Sequence, residues 1–462
     1  MSDLEATGTV MRDDWDRRAR EDASYYVAFG RRKQSKDEFF GSAKELVHGL
    51  LHEFKHFPAG APLSELSAIE IGCGPGRVML PLSEHFGYVT GVDVSGEMVE
   101  LARRNLEGVP NAEVRQSSGS DLSGFEDESF DFCYSYAVFQ HIPDREAIWS
   151  YLREARRVLK PGGLLKAQAN SLPQGDQPPI ALVPGWSLRA GAGEGSVVRE
   201  QTPDTWSGAS IRGEEIAQFA HEQGLQLLAM DGFDTQYLWF TARKPHPDDP
   251  PQSALGEAKI IVSTNALTSD RSVPQGGRFA TASFQVANLG ADADLNTLRV
   301  EIDGQLTAPC FVRRKTFSGE GQVNVSLPPG VRTGMLPAQL LMNGKPISNR
   351  VALRVTPAPV MIPRIASVTD GVNLLSDISI ESRSLKITLE EVDLSADDLL
   401  DAFAADLNGF PIEDVNVFQV DPLTRRYEVN LELPDDIPTG PANLNCRVGS
   451  RKLWPFAVNI AA

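Results

Sequence analysis

The chain has few cysteines, and those few are widely separated. Only four of the 462 residues are cysteine: Cys73, Cys133, Cys310 and Cys446. None belongs to a CxxC pair, so the spacing supports neither a zinc site nor a disulfide framework. We therefore expect a reduced, cytoplasmic protein.

Dense runs of lysine and arginine are also missing. The chain carries 44 basic and 62 acidic residues, for a formal net charge of −18. Nucleic acids and anionic membranes attract proteins through basic patches, which this composition does not offer. We expect neither a nucleic-acid partner nor a membrane partner.

Long apolar runs are absent as well. The first residues, MSDLEATGTVMRDDWDRRARED, are rich in acids and contain no apolar core of signal-peptide length. No later stretch has the apolar length that crosses a bilayer. The sequence therefore predicts neither a secretion signal nor a membrane span.

Residues 1–244 alternate between strand-like and helix-like patterns. Short apolar runs such as AIEIG, YVTGVDV and FDFCYSY alternate with amphipathic segments such as GEMVELARRNL and AIWSYLREARRVL. This alternation predicts an α/β domain in which helices cover both faces of a mostly parallel sheet.

The remainder of the chain has a different pattern of apolar residues. Residues 245–256 form a Pro-rich polar linker, and the apolar residues after it alternate over short runs, which is typical of all-β domains. VNVSLPPGVRTG (323–334) matches VNLELPDDIPTG (429–440), so we predict a duplicated domain, with copies at 257–357 and 358–462.

The motif with the most chemical content is EIGCGPG, which follows the first predicted strand. A dinucleotide loop reads G-x-G-x-x-G, but here Gly72, Gly74 and Gly76 alternate and Arg77 takes the place of the third glycine of that pattern. Glu70 would repel a pyrophosphate, whereas it would attract the ammonium group of an amino-acid-bearing ligand. The P-loop pattern is absent.

These residues resemble the class I S-adenosylmethionine-dependent methyltransferases over residues 10–244. The likeness rests on EIGCGPG, on Asp93 in GVDVS, and on the segments FEDESFDFCYSYAVFQHIPD and RRVLKPGGLL. It implies a Rossmann-like, seven-stranded, mostly parallel sheet and S-adenosylmethionine as cofactor. The residues expected to bind that cofactor are Glu70, Gly72, Cys73, Gly74, Gly76, Arg77, Asp93, Val94, Met98, Gly119, Ser120, Asp121, Leu122 and Ser135.

One loop departs from the family pattern. Where the family commonly has Gly-Asp-Ala, this chain has Ser118-Gly119-Ser120, and Asp121 comes two positions late. Either Asp121 contacts the adenine after a loop shift, or backbone groups of residues 119–122 hold the base.

For the acceptor side, the resemblance points to His141 in VFQHIPD as a catalytic base, or else as a loop histidine that only packs. The segment YSYAV lacks the Asn/Asp-Pro-Pro-aromatic pattern of amino-directed relatives, so we expect transfer to oxygen. Substrate contacts are expected from Trp15, Tyr26, Gln140 and Trp206, with residues 171–210 as a possible lid.

A metal site is not expected. His48, His52 and His56 recur on one helix face, but no acid cluster supports them, so a solvated face is favoured.

The two C-terminal copies resemble immunoglobulin-like domains of the IPT/TIG type. We interpret them as a module that binds a protein partner or mediates homo-oligomerisation. The sequence thus indicates a methyltransferase acting on a small-molecule or glycan-like acceptor. The alternatives are a scaffold with a relic methyltransferase fold, or a protein methyltransferase that recruits its target through the tail.

Overall fold

The computed structural model describes most of the chain, and its parts group into two compact units. The described residues are 3–28, 35–50, 53–57, 62–171, 208–233, 235, 237–277, 279–314, 320–371, 379–380, 383–394, 396–421, 426–434 and 436–461. The first unit comprises 1–20, 40–189 and 201–359, and the second comprises 21–39, 190–200 and 360–462.

Helices alternate with strands through the first half of the chain. The helices are α1 (Asp3–Ala28, interrupted at Asp22), α2 (Lys36–Leu50), α3 (Met79–Ser83), α4 (Gly96–Asn105), α5 (Arg145–Val158), α6 (Gly213–Glu222), α7 (Gln252–Leu255) and, much later, α8 (Ala396–Ala402). The first seven strands are β1 (Ser67–Ile71), β2 (Tyr88–Asp93), β3 (Ala112–Gln116), β4 (Phe130–Ser135), β5 (Leu159–Ala169), β6 (Gln226–Asp231) and β7 (Leu238–Arg243).

Side-chain caps fix where α4 and α5 begin. The hydroxyl of Ser95 accepts a hydrogen bond from the N–H of Met98 at the start of α4. The carboxylate of Asp144 accepts one from the N–H of Glu146 at the start of α5. Both caps satisfy N–H groups that have no partner within the helix.

These seven strands lie in the order β3-β2-β1-β4-β5-β7-β6. The strands β1 to β5 run parallel, whereas β7 is antiparallel to both β5 and β6. The chain order reverses between β1 and β4, and ligands of open α/β sheets bind at the carboxyl ends of strands at such a point. The predicted α/β alternation is therefore confirmed.

The sheet does not end at β6. Ten further strands of the first unit are β8 (Lys259–Asn265), β9 (Val273–Pro274), β10 (Thr281–Ala287), β11 (Leu298–Ile302), β12 (Gln305–Thr307), β13 (Phe311–Arg313), β14 (Gly321–Ser326), β15 (Gly334–Met342), β16 (Lys345–Pro346) and β17 (Val351–Thr356). Phe311 of β13 pairs with Ala229 of β6, and Met230 donates its N–H to Cys310. This junction extends the first seven strands into an eleven-stranded sheet that ends β6-β13-β14-β10-β8.

The second unit repeats the strand arrangement of β8 to β17. Its strands are β18 (Arg364–Asp370), β19 (Ser379–Ile380), β20 (Ser384–Glu390), β21 (Phe403–Leu407), β22 (Phe410–Ile412), β23 (Asp414–Asp421), β24 (Arg426–Glu432), β25 (Gly440–Val448), β26 (Arg451–Lys452) and β27 (Phe456–Ile460). The order β22-β21-β25-β27-β19 mirrors β12-β11-β15-β17-β9, and β18-β20-β24-β23 mirrors β8-β10-β14-β13. The repeat seen in the sequence thus has a structural counterpart.

The predicted linker, residues 245–256, is packed rather than extended. Gln252 is buried, its side-chain oxygen accepts from the N–H of Gly290, and its amide donates to the carbonyls of Asn288 and Gly256. Asp249 forms an ion pair with Arg243 at the end of β7. This segment therefore fixes the first β copy to the preceding domain.

Candidate functional site

The glycine loop turns sharply out of β1. Gly72, Gly74 and Gly76 have φ angles of 71°, 52° and 82°, a region that residues with a Cβ rarely adopt. The N–H groups of Gly72 and Cys73 both donate to the carbonyl of Val92, which binds the loop to the end of β2. A Cβ added at Gly72 would lie 2.3 Å from a methyl group of Val138, so substitution there would force the loop open.

Asp93, the last residue of β2, organises the loop. One carboxylate oxygen accepts the N–H of Gly74 at 2.9 Å, and the other accepts the N–H of Ser95 at 2.9 Å. Burial raises the pKa of Asp93 to about 6, against the lowering effect of these two backbone donors. Each oxygen keeps a second lone pair, which suits a diol that donates two hydrogen bonds.

Glu70 is the other buried acid of the site. It lies in β1 opposite Gly91 of β2 and Tyr134 of β4. Burial holds its pKa well above the ordinary value; the nearby Arg77 lowers it and Asp93 raises it. One carboxylate oxygen has no hydrogen-bond partner among the described residues. A buried acceptor left in this state is costly, so it marks a place for a donor from a ligand.

Several residues predicted to bind the cofactor are buried beside or beneath the glycine loop instead of being exposed. Cys73 points into the core, because a Cβ at Gly91 would lie 2.8 Å from its sulfur. Ser135 is fully buried and donates its hydroxyl to the carbonyl of Ile71. Met98 is buried in α4, and Val94 lies against the separate loop of residues 118–122, where a Cβ at Gly119 would be 3.0 Å from its methyl group.

In the loop that departs from the family pattern, the side chain of Asp121 is already engaged. Its carboxylate accepts hydrogen bonds from the hydroxyls of Ser118 and Ser123 and from the N–H of Ser123. The N–H of Leu122 donates to Glu154, and those of Ser120 and Asp121 donate to Ser118. These hydrogen bonds hold the loop on itself, and Oδ2 of Asp121 keeps a lone pair beyond the one engaged by Ser118.

The first turns of α1 lie against the loop of residues 118–122, which follows β3. A Cβ at Gly8 would lie 2.3 Å from the carbonyl oxygen of Ser118, and Met11 contacts Gly119. Asp16 accepts hydrogen bonds from the hydroxyl of Ser95 at 2.6 Å and from the N–H of Glu97 at 3.1 Å. Asp16 thus ties α1 to the start of α4, just after the strand that carries Asp93, a role that no sequence pattern indicated.

His141 lies in a short 3₁₀ turn, residues 139–141, after β4. It is buried, and its ring meets that of Trp15 edge-on with a centroid distance of 5.4 Å. Its Nε2 lies 3.2 Å from Nε2 of Gln140. The structure therefore brings together three of the residues predicted to face the acceptor.

The other predicted residues fall in other parts of the chain. Tyr26 falls within the second unit, where its hydroxyl donates to Glu21. Trp206 and most of the predicted lid, residues 172–207, lie outside the described residues, as does His52. His48 is exposed, and the described part of the chain shows no cluster of metal-binding side chains. Within that part, no helix is long and apolar enough to span a membrane.

The order of the first seven strands and the glycine loop after β1 define an α/β domain of the Rossmann type. Residues 69–167 match a family model described as a methyltransferase domain. These residues span β1 to β5 and include the glycine loop, Asp93 and His141.

Curated relatives align over the same region. The chain is 43% identical over 102 residues to an uncharacterized 37.1 kDa protein in transposon TN4556 of Streptomyces fradiae, which covers 21% of this chain and 28% of that protein. It is 33% identical over 104 residues to a ubiquinone biosynthesis O-methyltransferase of Xanthomonas oryzae, covering 22% and 42%. It is 37% identical over 97 residues to phosphoethanolamine N-methyltransferase 2 of Caenorhabditis elegans, covering 21% and 22%. The chain thus spans less than half the length of each of these relatives.

Among solved structures, magnesium protoporphyrin IX methyltransferase from Synechocystis, with bound S-adenosylhomocysteine, aligns with 51% of this chain and 99% of its own. The sequence identity is 15% and the TM-score is 0.35. The family match, which covers residues 69–167, thus makes this part of the chain similar to a methyltransferase domain.

Proposed function

We propose that the protein transfers a methyl group from S-adenosylmethionine to an oxygen atom of a small-molecule or glycan-like acceptor. The observation that carries the proposal is the pair of buried acids at the glycine loop. Asp93 keeps acceptor capacity on both oxygens, and Glu70 keeps one buried oxygen without a partner among the described residues.

These residues fit the two polar ends of the cofactor. Asp93 would accept hydrogen bonds from the two ribose hydroxyls, and Glu70 would attract the ammonium group of the methionine part. The glycines allow the backbone to approach the ligand closely. When bound, S-adenosylmethionine supplies an electrophilic methyl group on a sulfonium sulfur.

The protein's own contribution to transfer is alignment of the acceptor and exclusion of water. Proximity and orientation can lower the barrier by about 7–11 kcal/mol. Trp15 of α1 meets His141, which with Gln140 follows β4, and together these side chains could hold an acceptor oxygen. Oxygen is favoured over an amide or ring amine because YSYAV lacks the motif that holds a planar amino group.

The C-terminal copies have no assigned chemistry, and we propose that they are immunoglobulin-like modules. Each copy contributes strands to two sheets, and the order of the strands in each sheet is the same in both copies. In the second copy, both sheets contribute to one core, with Leu385 and Val429 from one sheet and Leu444 and Val458 from the other. Such modules would serve a protein partner or self-association, and the protein as a whole would work in the cytoplasm.

The acceptor class can be tested by incubating the intact protein with methyl-labelled S-adenosylmethionine and a cell extract fractionated by mass. Label in the low-mass fractions, dependent on Asp93, supports the proposal. Label only in protein fractions would replace it with a protein methyltransferase. No transfer to any fraction by a protein that binds S-adenosylhomocysteine would favour a scaffold.

A further inference from the structure

Two side-chain amide groups connect a fixed backbone N–H to the ring of His141. Ala137, two residues beyond β4, has a φ of 55° and donates its N–H to Oε1 of Gln168 at 2.9 Å. Gln168 lies fully buried in β5, and its Nε2 donates to Oε1 of Gln140 at 2.9 Å. Nε2 of Gln140 then lies 3.2 Å from Nε2 of His141.

The direction of this chain of hydrogen bonds is fixed at its backbone end. A backbone N–H can only donate, so the oxygen of Gln168 must face Ala137 and its NH₂ group must face Gln140. The oxygen of Gln140 must then accept, which turns its NH₂ group toward His141. An amide NH₂ group donates and has no acceptor role, so Nε2 of His141 must be the acceptor.

We propose that this relay locks His141 as a neutral ring with its proton on Nδ1. The hydrogen bond made at one ring nitrogen decides which nitrogen carries the proton. A positively charged ring would place an N–H opposite the NH₂ group of Gln140, so the relay also disfavours the charged form. Ala137, Gln168 and Gln140 are therefore positioning residues that act through His141.

The inference rests on the proposed function and changes the role predicted for His141 in it. A base must accept the hydroxyl proton of the acceptor, but the lone pair on Nε2 is already engaged by Gln140, and Nδ1 carries the ring proton. In this state neither ring nitrogen of His141 can take up a hydroxyl proton, so His141 positions the site rather than acting as a general base. The positive φ of Ala137 is consistent with this role, because strained backbone is retained where the surroundings impose it.

The ring proton can be located directly by long-range ¹H–¹⁵N correlation in protein labelled at histidine. The chain has seven histidines, so the His141 signals are assigned by their loss in His141→Gln. In the intact protein, at a pH where free histidine is neutral, we expect a protonated Nδ1 and an unprotonated Nε2. A protonated Nε2 in the intact protein would overturn the proposal.

Gln140→Glu reverses the end of the relay with almost no change in shape. One oxygen of the new carboxylate still accepts from Gln168, but the other must accept from His141, so the ring proton should appear on Nε2. Gln305→Glu, an exposed position in β12, introduces the same charge and should leave the His141 signals unchanged. An unmoved ring proton in Gln140→Glu would contradict the relay.

Two further measurements keep the result independent of folding and of the proposed function. Gln168→Leu breaks the relay from the other side and should remove the preference for Nδ1, while a thermal shift with S-adenosylhomocysteine reports whether each variant is folded. Because the correlation experiment needs no acceptor, an Nδ1 proton in a protein that binds no S-adenosylhomocysteine would refute the proposed function and leave the relay standing.

Discussion

Two carboxylates of the first unit, Asp294 and Glu70, are equally buried but differ in their hydrogen-bond partners. Asp294, between β10 and β11, accepts four hydrogen bonds: from the N–H groups of Leu227, Asn296 and Thr297 and from the hydroxyl of Thr297. Glu70, in β1, is equally buried but keeps one oxygen that no described residue satisfies. Burial raises the pKa of both groups.

Burial and a raised pKa therefore do not by themselves identify a functional acid. The carboxylate oxygens of Asp294 accept hydrogen bonds that hold β6 against the first β copy, close to the junction between β6 and β13. Glu70 is buried at a place where one of its oxygens has no donor among the described residues. We infer a role in stability for Asp294 and propose ligand binding for Glu70, and the two roles can be separated by substitution.

The largest effect is expected for Asp294→Ala. The change removes four hydrogen bonds and leaves buried N–H groups unsatisfied, so the free energy of unfolding should fall by about 3–5 kcal/mol. Denaturant unfolding at pH 7 measures this loss. A stability close to that of the intact protein would show that the junction does not depend on this carboxylate.

Asp93→Ala should remove ligand binding. Two hydrogen bonds to a charged acceptor are worth about 1.5–3 kcal/mol each, so the affinity for S-adenosylhomocysteine should fall by roughly a hundredfold or more. Calorimetric titration measures the dissociation constant. The control is Asp121→Ala in the neighbouring loop, whose carboxylate is engaged by Ser118 and Ser123 and which should have a much smaller effect. Equal losses in both variants would remove the distinction drawn for Asp93.

Glu70→Gln should weaken binding and stabilise the unliganded protein. Loss of the charge that attracts the ammonium group should cost about thirtyfold in affinity, or about 2 kcal/mol. Because the pKa of Glu70 is raised in the folded state, its contribution to stability falls as the pH rises above the unfolded value and through the folded value. The variant should therefore lose less stability than the intact protein over this range. Thermal melts from pH 5 to pH 8 test both directions, and a steeper loss in the variant would contradict the account.

The smallest effect is a pH dependence of binding in the intact protein. Asp93 has a pKa of about 6 without ligand, and the ribose hydroxyls require its ionised form. The dissociation constant of S-adenosylhomocysteine should therefore rise about tenfold between pH 7 and pH 5. An affinity that stays constant over this interval would mean that Asp93 does not titrate on binding.

Local patterns predicted much of the α/β domain and the core of its site. Alternating glycines flanked by Glu70 and Asp93 require special backbone angles and place two acids at strand ends, and both features are visible in the letters alone. The junction between β6 and β13 was not predicted, because pairing of two strand edges depends on backbone groups that every residue carries.

The polar partners were the hardest to predict. The adenine contact stays a prediction, from either Asp121 or the backbone of residues 119–122; the local hydrogen bonds of Asp121 to Ser118 and Ser123, within three residues of it, were not predicted. Asp16 and Gln168 contact the site from elements far away in the sequence, and no local pattern sets them apart from solvent-facing residues.

The most direct test of the central claim is a calorimetric titration of the intact protein with S-adenosylhomocysteine. The account predicts one binding site per chain, competed by S-adenosylmethionine and lost in Asp93→Ala while that variant remains folded. A folded intact protein that shows no saturable binding would contradict the assignment of Glu70, Asp93 and the glycine loop as a cofactor site.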